Sequence, residues 1–483
     1  MSGGAAARDS TAVQLLARFA VGCRDNELGD EIAADVTGRL LDVLGNCLAG
    51  RAETDGREGP DQAVLRVLAS WGGAAESSVI GSDERWPAPN AALANGTFAH
   101  LLDFDDTHLP SVLHPSANIV PAALAVAEAT GANTAQLLAA IAAGIEITNR
   151  LGMASYLPED GNSLFFEKGF HATSICGTVG AAAAAGLLYG LDETAVSSAM
   201  GIASSMGAGI IEANRTGGTV KRIHCGWAAH AGVTAAALAR EGVTGPPTVL
   251  EGRFGFFQAY LDGRYDAAAL LDDLGTRWEL LRTVYKPYPS NHFTHPGIDC
   301  ALALRAAGLE PADVVAIELG VAAPVLRTIA EPRAEKVRPL SGYHAKFSGP
   351  YTVARALVGG GGLGLHLDDF TPASVADPQV LALSQRVDVV ADERATALFP
   401  TAFAAVVRVE TRSGRRVEHR VDSSRGGPEN PLSRAEVLEK FRLNSSRALG
   451  AAQTDELLGA VDRMTSDTAS IPDLLRMTRK DGR

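Results

Sequence analysis

Aromatic side chains are scarce in this 483-residue chain: they make up 6% of it, against 46% hydrophobic residues overall. A core so poor in rings must rest on Ala, Leu and Val in close-packed helices. Cysteine is scarce too, and the five present, Cys23, Cys47, Cys176, Cys225 and Cys300, are far apart with no C-x-x-C pair. That excludes a disulfide framework and a cysteine zinc site, and suits a reducing, cytoplasmic setting. Positive charge is in deficit, with a formal net charge of -13. Nucleic acid and anionic membrane are therefore excluded as partners, because both need a basic face to replace counterions. The N-terminus has no basic region followed by a long apolar run and a small-residue cleavage site, and reads as a ragged start before a first helix. One uncharged run, Ile175 to Leu191, is slightly short of a membrane span, weakly apolar and followed at once by Asp192 and Glu193. It reads as a buried central helix. VGGGGLGLHL, from Val358, lacks a Gly-Lys-Ser/Thr ending and follows no strand, so it reads as a flexible turn rather than a phosphate loop.

The length exceeds one ordinary domain of about 100–200 residues. From Asp30 to Glu251 apolar residues recur at helical spacing, as in EIAADVTGRLLDVLGNCLAG and TAQLLAAIAAGIEITNRLG, and several runs end on a capping glycine. Beyond residue 276 come short β-rich runs, VVAIELGV, RVDVVAD and AAVVRVETRSGRRVEHRVD, the last a hairpin around Ser413 and Gly414. Ser423 to Ser433, SSRGGPENPLS, reads as a linker, and helical periodicity then returns. The expected fold is mainly α: a large all-α domain, 1–275 completed by 425–483, with a smaller α+β lid domain, 276–424, inserted before the C-terminal helical segment. No internal repeat is visible.

Four clusters carry chemistry. The first, LDFDDTHLPSVLHPS, holds Asp103, Asp105, Asp106, Thr107, His108 and His114. If a helix runs through Asp103, Thr107 shares its face. A carboxylate near His114 would raise its basicity for general acid/base work; the competing reading is an Asp-rich helix end. DFDDTH matches no standard zinc or calcium spacing, so no metal is expected. The second, EKGFHATSICG, sets His171 before an Ala/Gly-rich helix where Thr173 and Ser174 are available as caps and free amides attract a carboxylate. The third, GGTVKRIHCGWAAHAG, carries Lys221 and Arg222 among small residues, with Lys221 partly buried and seeking an anion; His224 and His230 read as structural. The fourth, YKPYPSNHFTHPGID, fixes Lys286 between aromatics and prolines, in competition with a rigid elbow bearing a solvated lysine. Together they suit a small di- or tricarboxylate.

In order along the chain, NGTFAHLLDFDDTH with HPSANIVPAALAVAE, GFHATSICGTVGAAAAAGLLYGL, GTVKRIHCGWAAHAG, TGPPTVLEGRFGF, KPYPSNHFTHPGID and FSGPYTVARAL resemble the MmgE/PrpD family. That family includes 2-methylcitrate dehydratase, cis-aconitate decarboxylase and iminodisuccinate epimerase. The resemblance implies an all-α domain with an α+β lid, a homodimer, and neither metal nor organic cofactor. It places active-site positions on Asp103, Thr107, His114, His171, Lys221 and Lys286. The loop before His114 is one residue longer than in the decarboxylase branch. Where that branch has a histidine five positions after the lid lysine, this chain has Asn291 followed by His292, and the branch's lid tyrosine is met only by Tyr343 at a shifted position.

The resulting expectation is a cofactor-independent lyase dehydrating a 2-methylcitrate-like acid. Asp103, His114, His171, Lys221 and Lys286 are the catalytic set, and Thr107, Arg222, Asn291 and His292 bind substrate. The alternatives are an epimerase of an iminodisuccinate-like acid and a cis-aconitate-like decarboxylase, which need the same residue types. A class II terpene cyclase, suggested by DFDD, is poorly supplied with the aromatic walls its carbocations need. In a non-catalytic scaffold the clusters would be purely structural.

Overall fold

The computed structural model describes residues 10–53, 59–213, 218–466 and 469–479; the first nine residues and Gly217 of the third cluster lie outside the described residues. The fold is mainly α, with 59% helix and 9% strand. Two compact units form, one from Met1–Leu101, Ser111–Thr283 and Phe441–Arg483, the other from Leu102–Pro110 and Val284–Lys440. This division lies elsewhere than the expected boundaries at three places, and at two of them a local cause is visible. The chain stays with the helical unit to Thr283 because Leu280 N donates to Glu146 Oε2 (2.8 Å) and Arg39 to the Thr283 carbonyl (2.7 Å). The presumed linker is a hydrogen-bonded turn of the second unit, where Arg425 N donates to Asp299 Oδ2 (3.0 Å) and Asn430 Nδ2 to the Ser423 carbonyl (3.1 Å). The acidic stretch 102–110 belongs to the second unit as well.

The helical unit is built around Ala88–His100, Ser116–Thr130, Thr134–Ala154, Ala172–Leu188 and His224–Arg240. Asn133 caps the third of these, accepting from Gln136 N, and Gly131 ends the second in left-handed conformation at φ 70. Poverty in rings is matched by glycine: a Cβ at Gly226 would lie 2.2 Å from the Leu93 carbonyl oxygen, and one at Gly180 would lie 2.0 Å from Thr148 Oγ1. Helices thus approach to backbone contact, which only glycine allows. Two-residue strand pairs, Ser77–Ser78 with Arg85–Trp86 and Tyr156–Leu157 with Asn162–Ser163, interrupt the expected all-helical run. The Ile175 region is a fully buried helix, as expected. Among the described residues the one helix long and apolar enough to cross a membrane is instead Thr134–Ala154, and it is buried inside the protein.

The second unit holds a four-stranded sheet in the order Arg416–Val421, Ala405–Thr411, Val314–Val321, Val387–Ala391, antiparallel except for the last pair. The hairpin turns at Gly414, φ 78. Helices His295–Ala306 and Gly349–Val358 contribute Ile298, Ala301, Tyr351 and Val353 to the core beside Ile317, Leu319 and Val407. The glycine-rich stretch is a turn organised by Asp369, whose carboxylate accepts from Gly361 N (2.9 Å), His366 N (2.8 Å) and Arg355 Nε (2.7 Å). Those two amides are thereby occupied by a protein anion.

Candidate active site

In the helical unit, four histidines from different elements converge. The glycine contact between Ala88–His100 and His224–Arg240 brings their termini together, so His100 ends one helix and His224 begins the other. His171 is the N-cap residue of Ala172–Leu188. Thr173 and Ser174 do not cap that helix with their side chains. Thr173 Oγ1 accepts from His114 N (3.1 Å) and Ser174 Oγ donates to the His224 carbonyl (3.2 Å), so the buried hydroxyls tie His114 and His224 to His171. Ring centroids lie 5.2 Å apart for His100 and His114, 5.8 Å for His100 and His171, 6.4 Å for His114 and His171, and 5.0 Å for His171 and His224. Buried Lys221 sits in the 3-10 turn Val220–Ile223 just before His224, with Arg222 half-buried beside it.

His171 Nδ1 and His224 Nδ1 are 2.9 Å apart, so one donates and the other accepts. Burial pushes His171 well below the usual histidine range, helped by the Lys221 charge, and pushes His224 down to about 4. Both rings are therefore neutral near pH 7. Among the described residues the His171 ring bonds only through Nδ1, which leaves Nε2 to face a ligand. Whenever His224 Nδ1 is the acceptor, a proton arriving at His171 Nε2 is matched by release of the Nδ1 proton to His224, a two-ring relay. His224, read from sequence as structural, is thus the partner of the candidate catalytic histidine. His230 fits its structural reading: it bonds the Pro89 carbonyl (3.1 Å) and stacks on Trp227.

A pH test follows. Both rings bind protons more readily when unfolded, so folding stability holds above about pH 6.5 and is lost as pH falls toward the folded value of about 4. Denaturant midpoints across that window should fall in the wild type and fall less in His224→Asn. His224→Leu, which removes the relay partner, should cut turnover about 10²-fold, whereas Asn, which keeps a polar atom near Nδ1, should retain more of it.

In the second unit the expected helix through Asp103 is absent. The helix ends at His100, Asp103 takes φ 55, and Thr107 and His108 are buried in a short strand. Asp is among the few non-glycine residues that enter this left-handed conformation at modest cost, and the helical i, i+4 spacing with Thr107 is lost. The cation facing Asp103 is Lys286, which is buried rather than solvated: Nζ lies 3.0 Å from the Asp103 carbonyl oxygen and 3.4 Å from Oδ1. The elbow is rigid, with Tyr288 Oη donating to Asp299 Oδ1 (2.6 Å) and Arg425 donating to Tyr288 Oη (3.0 Å). Asn291 serves as a cap, its side chain accepting from Phe293 N (3.1 Å). His292 is buried and stacked on His295, centroids 4.4 Å apart. His295 bonds the Ser290 carbonyl through Nε2 (3.2 Å), so that nitrogen carries its proton; burial and the Lys286 charge hold its pKa well below the usual value. Tyr343 is half-buried and packs on Phe347.

The MmgE/PrpD N-terminal domain matches residues 14–268 and the MmgE/PrpD C-terminal domain residues 288–464. The chain belongs to the MmgE/PrpD family. It is 30% identical over 393 residues to cis-aconitate decarboxylase of Homo sapiens, covering 79% of this chain and 78% of that protein. To the Mus musculus enzyme of the same name it is 30% identical over 386 residues, covering 79% and 77%. To the cis-aconitate decarboxylase-like protein oryM of Aspergillus oryzae it is 27% identical over 419 residues, covering 83% and 84%. As an MmgE/PrpD protein the chain is an enzyme of the lyase type.

Four residues around these MmgE/PrpD clusters escaped the sequence reading: His100, His295, Lys346 and Lys440. His100 and His295 stood inside quoted motifs, in AHLLDFDDTH and THPGID, where a polar residue ending or opening a helix was the available signal. Lys346 and Lys440 had no such neighbour.

Proposed function

We propose that this protein is a cofactor-independent lyase that decarboxylates a cis-aconitate-like tricarboxylate. The observation that carries the reading is the neutral His171–His224 pair, with Nε2 of His171 left for a ligand and Lys221 buried nearby. The names of the relatives support decarboxylation over the dehydration expected from sequence. Loss of carbon dioxide breaks a carbon–carbon bond and leaves an electron pair conjugated with a remaining carboxylate. Lys221 stabilises that charge and its ammonium delivers the proton that quenches it, regaining one from solvent, while the neutral imidazoles hold the carboxylates by hydrogen bonds. Dehydration of a 2-methylcitrate-like acid is the second reading, favoured by Asn291, a capping residue where the decarboxylase branch has histidine. A homodimer in the cytoplasm, acting on a small anionic carboxylate, completes the proposal.

Proton NMR in heavy water tests it, with cis-aconitate, 2-methylcitrate, citrate and iminodisuccinate stereoisomers in separate tubes. Decarboxylation gives a new methylene signal carrying deuterium together with released carbon dioxide. A vinylic signal from 2-methylcitrate alone moves the assignment to dehydratase, and α-deuteration with an intact skeleton moves it to epimerase.

A further inference from the structure

Three consecutive carbonyls in the acidic segment each accept from a different buried lysine. Lys346 Nζ reaches the Leu102 oxygen (2.5 Å), Lys286 the Asp103 oxygen (3.0 Å) and Lys440 the Phe104 oxygen (2.8 Å). The lysines are 6%, 1% and 2% exposed. They come from unrelated places: the elbow, the residue just after the short helix Gly342–Ala345, and helix Arg434–Ser445. Lys440 also lies 4.0 Å over the Phe104 ring, and Lys346 lies 5.7 Å from the Phe370 ring. The left-handed Asp103 at φ 55 breaks any helical bonding pattern in the segment, which leaves its carbonyls to other donors. Asp103, Asp105 and Asp106 are buried in the same stretch.

We infer that Lys346 and Lys440 are positioning residues which, with Lys286, clamp the Leu102–Phe104 backbone and so fix where Asp103 and Thr107 stand. The inference rests on the lyase reading for its activity readout. It separates these two lysines from substrate-binding cations by the bond each donates to a backbone carbonyl of the segment.

The test uses the full-length protein, with kinetics on whichever acid the wild type turns over and hydrogen–deuterium exchange of peptides spanning 102–110. Lys346→Met and Lys440→Met should each lower kcat about 10–100-fold, as expected for displaced catalytic groups, leave KM within about threefold, and speed exchange in the segment. Arg420→Met, which breaks an ion pair with Asp392 on the sheet, should lower stability without that kcat loss. Unchanged kcat in folded lysine variants overturns the clamp, and so does a raised KM with kcat held, which would make them substrate ligands. Where the methionine variants do not fold, Lys346→Gln and Lys440→Gln keep an N–H for the carbonyl and are read the same way, with partial kcat loss expected. If the wild type turns over no acid, the lyase reading fails by itself. The clamp is then judged on exchange alone, and an unprotected segment in the wild type, or protection unchanged in the variants, overturns it.

Discussion

A Lys286→Met variant is expected to lose about 3–5 kcal/mol of stability and about 10²–10³-fold in turnover. The ammonium and the Asp103 carboxylate are 1% and 3% exposed, so neither is solvated well enough to tolerate losing the other. Methionine fills the volume but removes the cation facing Asp103. The double variant Lys286→Met with Asp103→Asn removes both charges and should recover much of the stability without recovering turnover. Denaturant midpoints and kcat/KM for the wild type, both single variants and the double variant form the cycle. A loss below about 1 kcal/mol for Lys286→Met, the range of exposed pairs, would show that this pair is not desolvated as its geometry requires.

The second large effect concerns Arg150, which is fully buried with Glu146 one turn away. All five of its N–H groups are engaged: Nε with Glu146 (2.6 Å), one terminal nitrogen with the Leu270 (3.2 Å) and Asp272 (2.9 Å) carbonyls, and the other with those of Asp273 (3.5 Å) and Arg277 (2.7 Å). This one side chain pins the loop 270–280 to a core helix. Arg150→Met should cost about 3–5 kcal/mol, with a distinctive pH dependence. Burial already pushes the Glu146 carboxyl above 4.5, while Arg150 pulls it back. Without Arg150 the folded-state pKa rises further, so stability is retained below about pH 4.5 and lost as pH climbs through the raised value. The variant should therefore sit closest to wild type at acid pH, and melts at pH 5 and 8 would check it. A pH-independent deficit would mean that Glu146 is not the group left stranded.

The fold was legible where local pattern and burial agree. The strands around Val314, Val387 and Ala405 alternate or cluster as strands must, and the Ala-rich run after His171 had length and composition only a buried helix satisfies. Some site features were legible because unusual residue types crowd together, as in LDFDDTH and KRIH. Others depended on distant partners. Nothing near Asp103 indicates a left-handed turn, because its support comes from lysines 183, 244 and 336 positions removed from the residues they hold. His224 looked structural because its role is defined by His171, 53 positions earlier. Ser423 to Ser433 has a linker's composition, and only the Arg425 contacts with Asp299 and Tyr288 show that it is packed.

The same long separations bear on synthesis. The stretch 102–110 leaves the ribosome long before Lys346 and Lys440, and the helical unit waits for Phe441 onward to be complete. The second unit cannot close its core until Lys440 has been made, and the helical unit not until the segment from Phe441 has followed. Three aspartates and an Ala-rich, glycine-grooved set of helices stay uncovered in the meantime. Surface left uncovered during that interval is prone to aggregation, and a stop codon a few dozen residues early would leave the helical unit unfinished although the second unit, which ends at Lys440, had been made.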